Sequence, residues 1–158
     1  MTIAQPVPGG WEPLGHPGPV VSLLAQPAAG ADFIVALPTF ECVRLLSVTA
    51  KLVTAVTVAN RHPVIELVDA DGNVLVQSSV GTALAASTPG IVSWSVGSVL
   101  DGSGSGGYQG PLPNMWLPPG CKAQSAVGDL QAADQWSLVV ATFDRRYYAP
   151  QYGPTTGD

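Results

Sequence analysis

The sequence predicts an all-β fold, an antiparallel β-sandwich of jelly-roll type with an extended N-terminal arm over residues 1–40 and a tail over 147–158. Three observations carry this. From Glu41 onward, Val, Leu and Thr dominate runs in which apolar and polar residues alternate with the period of a strand. Those runs are short and separated by turn residues, in a chain of 158 residues with 18 Gly and 15 Pro. Hardly any stretch has the helical period, and an all-β chain with frequent turns closes most economically as a sandwich.

The arm is read from its prolines. Pro6, Pro8, Pro13, Pro17, Pro19, Pro27 and Pro38 each remove a backbone donor and disfavour helix at the preceding residue, so no long helix is expected before residue 40. Within it, Val20 to Ala25 and Phe33 to Leu37 are short apolar runs suited to adding to a sheet edge, on this molecule or on a neighbour. Trp11, Leu14, Leu23, Leu24, Phe33 and Ile34 make the arm too apolar for a disordered leader. It is expected to dock on a partner, and deletion of residues 1–38 is expected to leave a folded domain.

The sandwich, residues 41–146, opens with a long strand. Val43, Leu45, Ser47, Thr49 and Lys51 alternate with Cys42, Arg44, Leu46, Val48, Ala50 and Leu52, and the β-branched residues Val53, Thr54, Val56, Thr57 and Val58 extend the pattern. Ala59, Asn60, Arg61 and His62 form a break. Val64 to Val68 and Val74 to Ser79 read as a hairpin, because Asp69, Asp71, Gly72 and Asn73 between them tolerate the turn backbone. Ile91 to Val99 is the next strand, with Val92, Trp94 and Val96 on one face. LDGSGSGGYQG is a surface loop by composition. After PLPNMWLPPG, a strand from Cys121 to Val127 places Cys121, Ala123, Ser125 and Val127 on one face. The last strand, Trp136 to Phe143, is expected to have Trp136, Leu138, Val140 and Thr142 on one face and Val139, Ala141 and Phe143 on the other, with strands on both sides.

Charge and cysteines exclude several function classes. Only 11% of residues are charged, against roughly 25% in typical soluble domains, which points to a surface covered by partner subunits; a surface of Ser, Thr, Gln, Asn and Gly is the alternative. The net charge is -5 and the six Lys and Arg are scattered, so no nucleic-acid partner is expected. No apolar run approaches the roughly 18 residues that span a bilayer, and MTIAQPVPGGWEP has neither the basic start nor the apolar core of a signal segment, so no membrane partner is expected either. Cys42 and Cys121 are read as two buried thiols, with a single bridge as the alternative.

No constellation reads as chemistry, and no enzyme activity, metal or cofactor is expected. Gly102, Gly104 and Gly107 match a dinucleotide motif by letter but lead into Tyr108, Gly110 and Pro111 rather than a helix. Asp69, Asp71 and Asn73 open like a calcium loop, yet Val74 stands where its glycine belongs, and turn chemistry accounts for them. Asp129 and Asp134 flank a turn, where carboxylates accept bonds from backbone N–H groups. His16 and His62 lie beside prolines without triad partners. Trp94 and Trp136 are expected in the core, while Tyr147, Tyr148 and Tyr152 give the tail a docking character.

The succession ECVRLLSVTAKLVTAVTVANRHPVIELVDADGNVLVQ, PLPNMWLPPG and LQAADQWSLVVATFDRR resembles small structural proteins encoded among the virion genes of tailed bacteriophages, particularly those of actinobacterial hosts. It covers residues 41–146, and the PLP-to-LPPG spacing and AADQWS are its most specific features. The resemblance implies a virion component made in the host cytoplasm, such as a capsid decoration or cement protein. Its expected partners are the major capsid protein or other virion subunits, and further copies of itself in a homo-oligomer. A tail-associated carbohydrate- or receptor-binding module, using exposed aromatics and the loop around Tyr108, is the alternative.

Overall fold

A computed structural model of the chain describes residues 19–99 and 107–146. These form nine strands: β1 (Val20–Leu23), β2 (Ile34–Ala36), β3 (Cys42–Val53), β4 (Val64–Val68), β5 (Val74–Ser79), β6 (Pro89–Val96), β7 (Gly107–Leu112), β8 (Lys122–Ser125) and β9 (Gln135–Arg146). They lie in a five-stranded sheet, order β1-β9-β3-β6-β7, and a four-stranded sheet, order β2-β8-β4-β5. No helix among the described residues is long and apolar enough to cross a membrane.

The pairing is that of one long antiparallel hairpin rolled up on itself. β4 pairs β5, β3 pairs β6, β2 pairs β8 and β1 pairs β9. Rolling then sets β9 against β3 and β8 against β4, which completes the two sheets of a jelly roll. β7 is the departure: it runs parallel to β6, the one parallel pair between described strands.

Alternation fills the space between the sheets. Val43 and Leu45 of β3, Ile65 and Leu67 of β4, Val92 and Trp94 of β6, and Ala123 of β8 point inward, and a register shift between Leu45 and Ser47 changes the phase of β3 so that Val48, Ala50 and Leu52 join Val43 and Leu45 instead of facing away from them as expected. The expected hairpin is present, and Asp69 closes its turn by accepting from the N–H groups of Asp71 and Asn73 and from the Asn73 amide. Cys121, Ala123 and Ser125 share the buried face, as their alternation requires. Both cysteines are free thiols; Cys121 is buried, and that burial pushes its thiol up from the ordinary range.

Several expectations are corrected. The sandwich begins upstream of Glu41, because β1 and β2 fold into the chain's own sheets. Phe33 is 2% exposed, and its ring meets Trp94 and Trp136 edge-on at 6.4 and 5.1 Å, so it is a core residue and not a partner contact. Val35 and Leu37 are buried with it. The prolines do not prevent this, since Pro19, Pro27 and Pro38 stand outside β1 and β2. A domain lacking residues 1–38 would lose both strands.

The long strand also stops at Val53, five residues short of Val58. The Thr54 hydroxyl turns in, its single proton shared between the carbonyls of Ala85 and Thr88, and a loop follows. Finally, β9 does not alternate throughout. Its register against β3 shifts between Val140 and Ser137, where Leu138 takes a φ of 50°. This bulge adds one residue, so Trp136 joins Val139, Ala141 and Phe143 on the buried face while Leu138 is turned out to solvent.

Candidate interaction surface

At one end of the sandwich, a buried ion pair shapes a loop. Arg61 and Asp134, 73 residues apart in sequence, meet with side chains wholly out of solvent. Arg61 Nε donates to Asp134 Oδ2 at 2.8 Å and Nη2 to Oδ1 at 2.9 Å, a bidentate pair. The other guanidinium donors go to backbone carbonyls: Nη1 to Thr57 at 2.9 Å and Ala59 at 2.6 Å, Nη2 to Ala55 at 3.5 Å. Asp134 also accepts from the N–H of Ala55 at 2.6 Å and of Gln131 at 2.8 Å. Burial opposes ionisation of Asp134, but the Arg61 guanidinium and these two N–H groups outweigh it and hold the carboxyl below the ordinary carboxylate range.

Most of this network is spent on the backbone of residues 55–59, and what that backbone presents is apolar. Val56 and Val58 are 83% and 94% exposed. A flexible loop would shed such side chains onto the body; here the guanidinium holds the carbonyls on either side of Val58, those of Thr57 and Ala59. The expected break at Ala59–His62 thus contains a fully buried charge, and the expected turn role of Asp134 holds with Arg61 added to it.

The outer face of the five-stranded sheet presents a second surface, separated from the loop by the row of Lys51 and Ile91. Cross-strand rows run Leu23, Val140, Thr49, Ser93, Gln109 and Val21, Thr142, Ser47, Ser95, Pro111. Neither row contains a charge. Thr49 and Ser93 join through their hydroxyls at 3.0 Å. Ile91 and Leu138 stand exposed on the same face.

Charge gathers where β3 and β9 meet the PLPNMWLPPG segment. Leu117 is buried and bridges Val43, which sets the neighbouring Trp116 beside Arg44. The Arg146 guanidinium lies 4.1 Å and that of Arg44 5.3 Å from the Trp116 ring centre, both cation–π contacts. Arg44 also pairs with Asp144 at 2.5 Å and donates to the Asn114 carbonyl at 3.3 Å. Half of the chain's six Lys and Arg thus converge on one end of the sheet, Arg44 joining the adjacent Arg145 and Arg146 from about 100 residues earlier.

Of the residues expected to bind partners, Leu23 and Ile34 are exposed on β1 and β2, Leu24 packs partly against the core, and Phe33 lies within it. Trp11, Leu14, Tyr147, Tyr148 and Tyr152 fall outside the described residues. Sequence reasoning missed Val56 and Val58, which it had assigned to a strand, and Trp116 with its arginines. Their signal was available only as a β-branched run without charge and as an unassigned tryptophan between prolines. No group of three or more His, Cys, Asp and Glu among the described residues is placed to hold a metal ion.

Comparison with protein families and with curated proteins finds no match. Among solved structures, the chain is similar to that of infectious bursal disease virus Gx strain, with 16% identity and a TM-score of 0.39 over 93% of this chain and 39% of that one. It is also similar to the T=1 particles derived from infectious bursal virus, at 16% identity and a TM-score of 0.37 over 88% and 36%. The VP2 subviral particle of the same virus gives 15% identity and a TM-score of 0.31 over 90% and 38%. The chain therefore spans about two fifths of the length of those proteins, and a likeness this loose carries nothing about function.

Proposed function

We propose that the protein is a virion structural subunit, a capsid decoration or cement protein that joins neighbouring subunits by surface burial and performs no catalysis. Its partners are the major capsid protein or other virion subunits, and further copies of itself. The observation that carries this reading is the valine loop. A buried Arg–Asp pair is costly to assemble, and here its remaining hydrogen bonds fix the loop that displays Val56 and Val58. Preorganised apolar side chains on a rigid backbone lower the ordering cost of binding. The two uncharged rows on the outer face of the five-stranded sheet offer further area without a charge to desolvate. The resemblance of residues 41–146 to tailed-phage virion proteins supports the same reading, and jelly rolls serve in capsids as well as lectins.

Several hundred Å² of such surface, at about 25 cal/mol per Å², contributes roughly 10 kcal/mol before ordering costs reduce it. The sugar-binding alternative needs an aromatic platform. Among the described residues, Trp94 and Trp136 are buried, Tyr108 packs partly into the core, Trp116 is flanked by Arg44 and Arg146, and Phe40 stands exposed without a second aromatic shown beside it.

The test is quantitative mass spectrometry of particles of the virus that encodes the chain, followed by return of labelled protein to particles made without it. Expected are many copies per particle and saturable rebinding, weakened at least tenfold by V56D/V58D. Absence from the particle, or sugar-selective binding on a glycan array without particle binding, overturns the proposal.

A further inference from the structure

Among the described residues the sandwich leaves four sheet edges, and three of them are guarded. β5 and β7 are turned toward one another: the Ser78 hydroxyl donates to the Pro111 carbonyl, and a side chain at Gly110 would collide with the Ser79 carbonyl at 2.6 Å. β7 also carries Pro111, which has no N–H to offer a neighbour. β2 has three residues and is followed closely by Pro38. β1, four residues long and entered from Pro19, has no proline within it and no described strand facing its outer edge. Strand edges are ordinarily protected by charge, proline or a bulge, whereas Val20–Leu23 has no such residue and the chain is free of charge from Val20 to Ala31.

The register tells which backbone groups of β1 are unused. Leu24 N–H donates to the Val139 carbonyl at 2.9 Å, so Leu24 belongs to a hydrogen-bonding position against β9. Bonding and non-bonding positions alternate along an antiparallel pair. Val20 and Ser22 therefore also face β9 with their backbone groups, and the N–H and C=O of Val21 and Leu23 point away, to the open side. The side chains of these same two residues are 65% and 72% exposed.

We infer that β1 is a two-fold contact between copies of this chain, pairing antiparallel with β1 of a second copy about an axis at Ser22. This register is self-complementary. It sets Val21 opposite Leu23 of the partner copy and Leu23 opposite Val21, so all four outward backbone groups on each strand are paired. The two Ser22 residues meet as a non-bonded pair, with Cα atoms about 4.5 Å apart. The two five-stranded sheets become one ten-stranded sheet. Val21, Leu23 and the bulge residue Leu138 of both copies then lie on one face of that sheet, and no charged residue stands on either β1. A contact of four residues a side falls well below the roughly 1,200 Å² of a standing dimer. It is weak in dilute solution and persists where a particle holds copies close together. The inference deepens the virion reading and rests on it for that crowding.

The experiment places one thiol at the axis. S22C in a C42S background, in the full chain, is oxidised at high protein concentration and, separately, on particles. Two Cα atoms at that spacing are within disulfide reach, so a covalent dimer is expected in both, at least tenfold more than from I34C on the β2 edge. V21K, at an exposed position, keeps the fold and lowers the dimer yield of S22C at least tenfold. If the protein rebinds particles yet S22C gives no more dimer than I34C, or V21K leaves its yield unchanged, the β1 contact is wrong and the virion reading stands. If the protein never enters particles but S22C dimerises in solution, the contact stands and the virion reading falls.

Discussion

Replacing Asp134 by Asn removes the negative charge facing a guanidinium that has no route to water. The Asn side chain still offers one acceptor, but it cannot fill the four acceptor positions that Asp134 provides to Arg61, Ala55 and Gln131. Breaking a buried pair by removing one partner costs about 3–5 kcal/mol, because the other charge remains behind uncompensated. For a domain of this size, each kcal/mol lowers Tm by about 2–4 °C, which predicts a fall of roughly 6–20 °C in a thermal melt. R61M should fall within the same range, and R61M combined with D134L should cost less than the sum of the separate changes. The pH dependence identifies the charge. The folded carboxyl lies below the ordinary range, so near pH 4 the unfolded chain binds the proton first. The stabilisation from Asp134 is therefore complete above about pH 5 and is lost as pH falls through the folded value. The gap between wild type and D134N should stay constant from pH 8 to about pH 5 and narrow below about pH 4. A D134N melt within about 3 °C of wild type at pH 7, or a gap that does not narrow in acid, would refute the assignment of a buried, ionised pair.

Phe33→Ala should cost about 3–5 kcal/mol by urea unfolding, since the ring fills the space between Trp94 and Trp136; a chain lacking residues 1–38 should show no cooperative transition. Gly30→Ala should lower Tm by several degrees, because Gly30 has a φ of 72° and a Cβ there would lie 2.8 Å from the Ala132 Cα. Trp116→Ala should reduce stability by no more than about 1–2 kcal/mol, the scale of its exposed cation–π contacts, while weakening particle binding more than tenfold in a pull-down.

The hairpin of β4 and β5, the faces of β6 and β8 and the rolled-up topology were legible because each depends on local alternation and turn residues. Phe33 was not. It sits in a short run between Pro27 and Pro38, and nothing nearby says that β8, some 90 residues later, will pair beside that run or that Trp94 and Trp136 will meet its ring. Arg61 beside Asn60, His62 and Pro63 reads as a solvated break, since the carboxylate that buries it is on another loop. The face of Trp136 was misassigned for a different reason. A bulge changes the phase of a strand by one residue, and Leu138 carries no glycine or asparagine to mark the positive φ. Candidate contacts divided the same way: Leu23 was visible as an apolar residue in a broken segment, whereas Val56 and Val58 looked like more strand.

β9 lies between β1 and β3, although it is the last of the described strands. During synthesis, β1 has no partner among the described strands until residues 135–146 have followed, and one side of β3 waits just as long. Pairing so distant in sequence makes for slow folding, and the nascent sheet stays open to other chains throughout that wait.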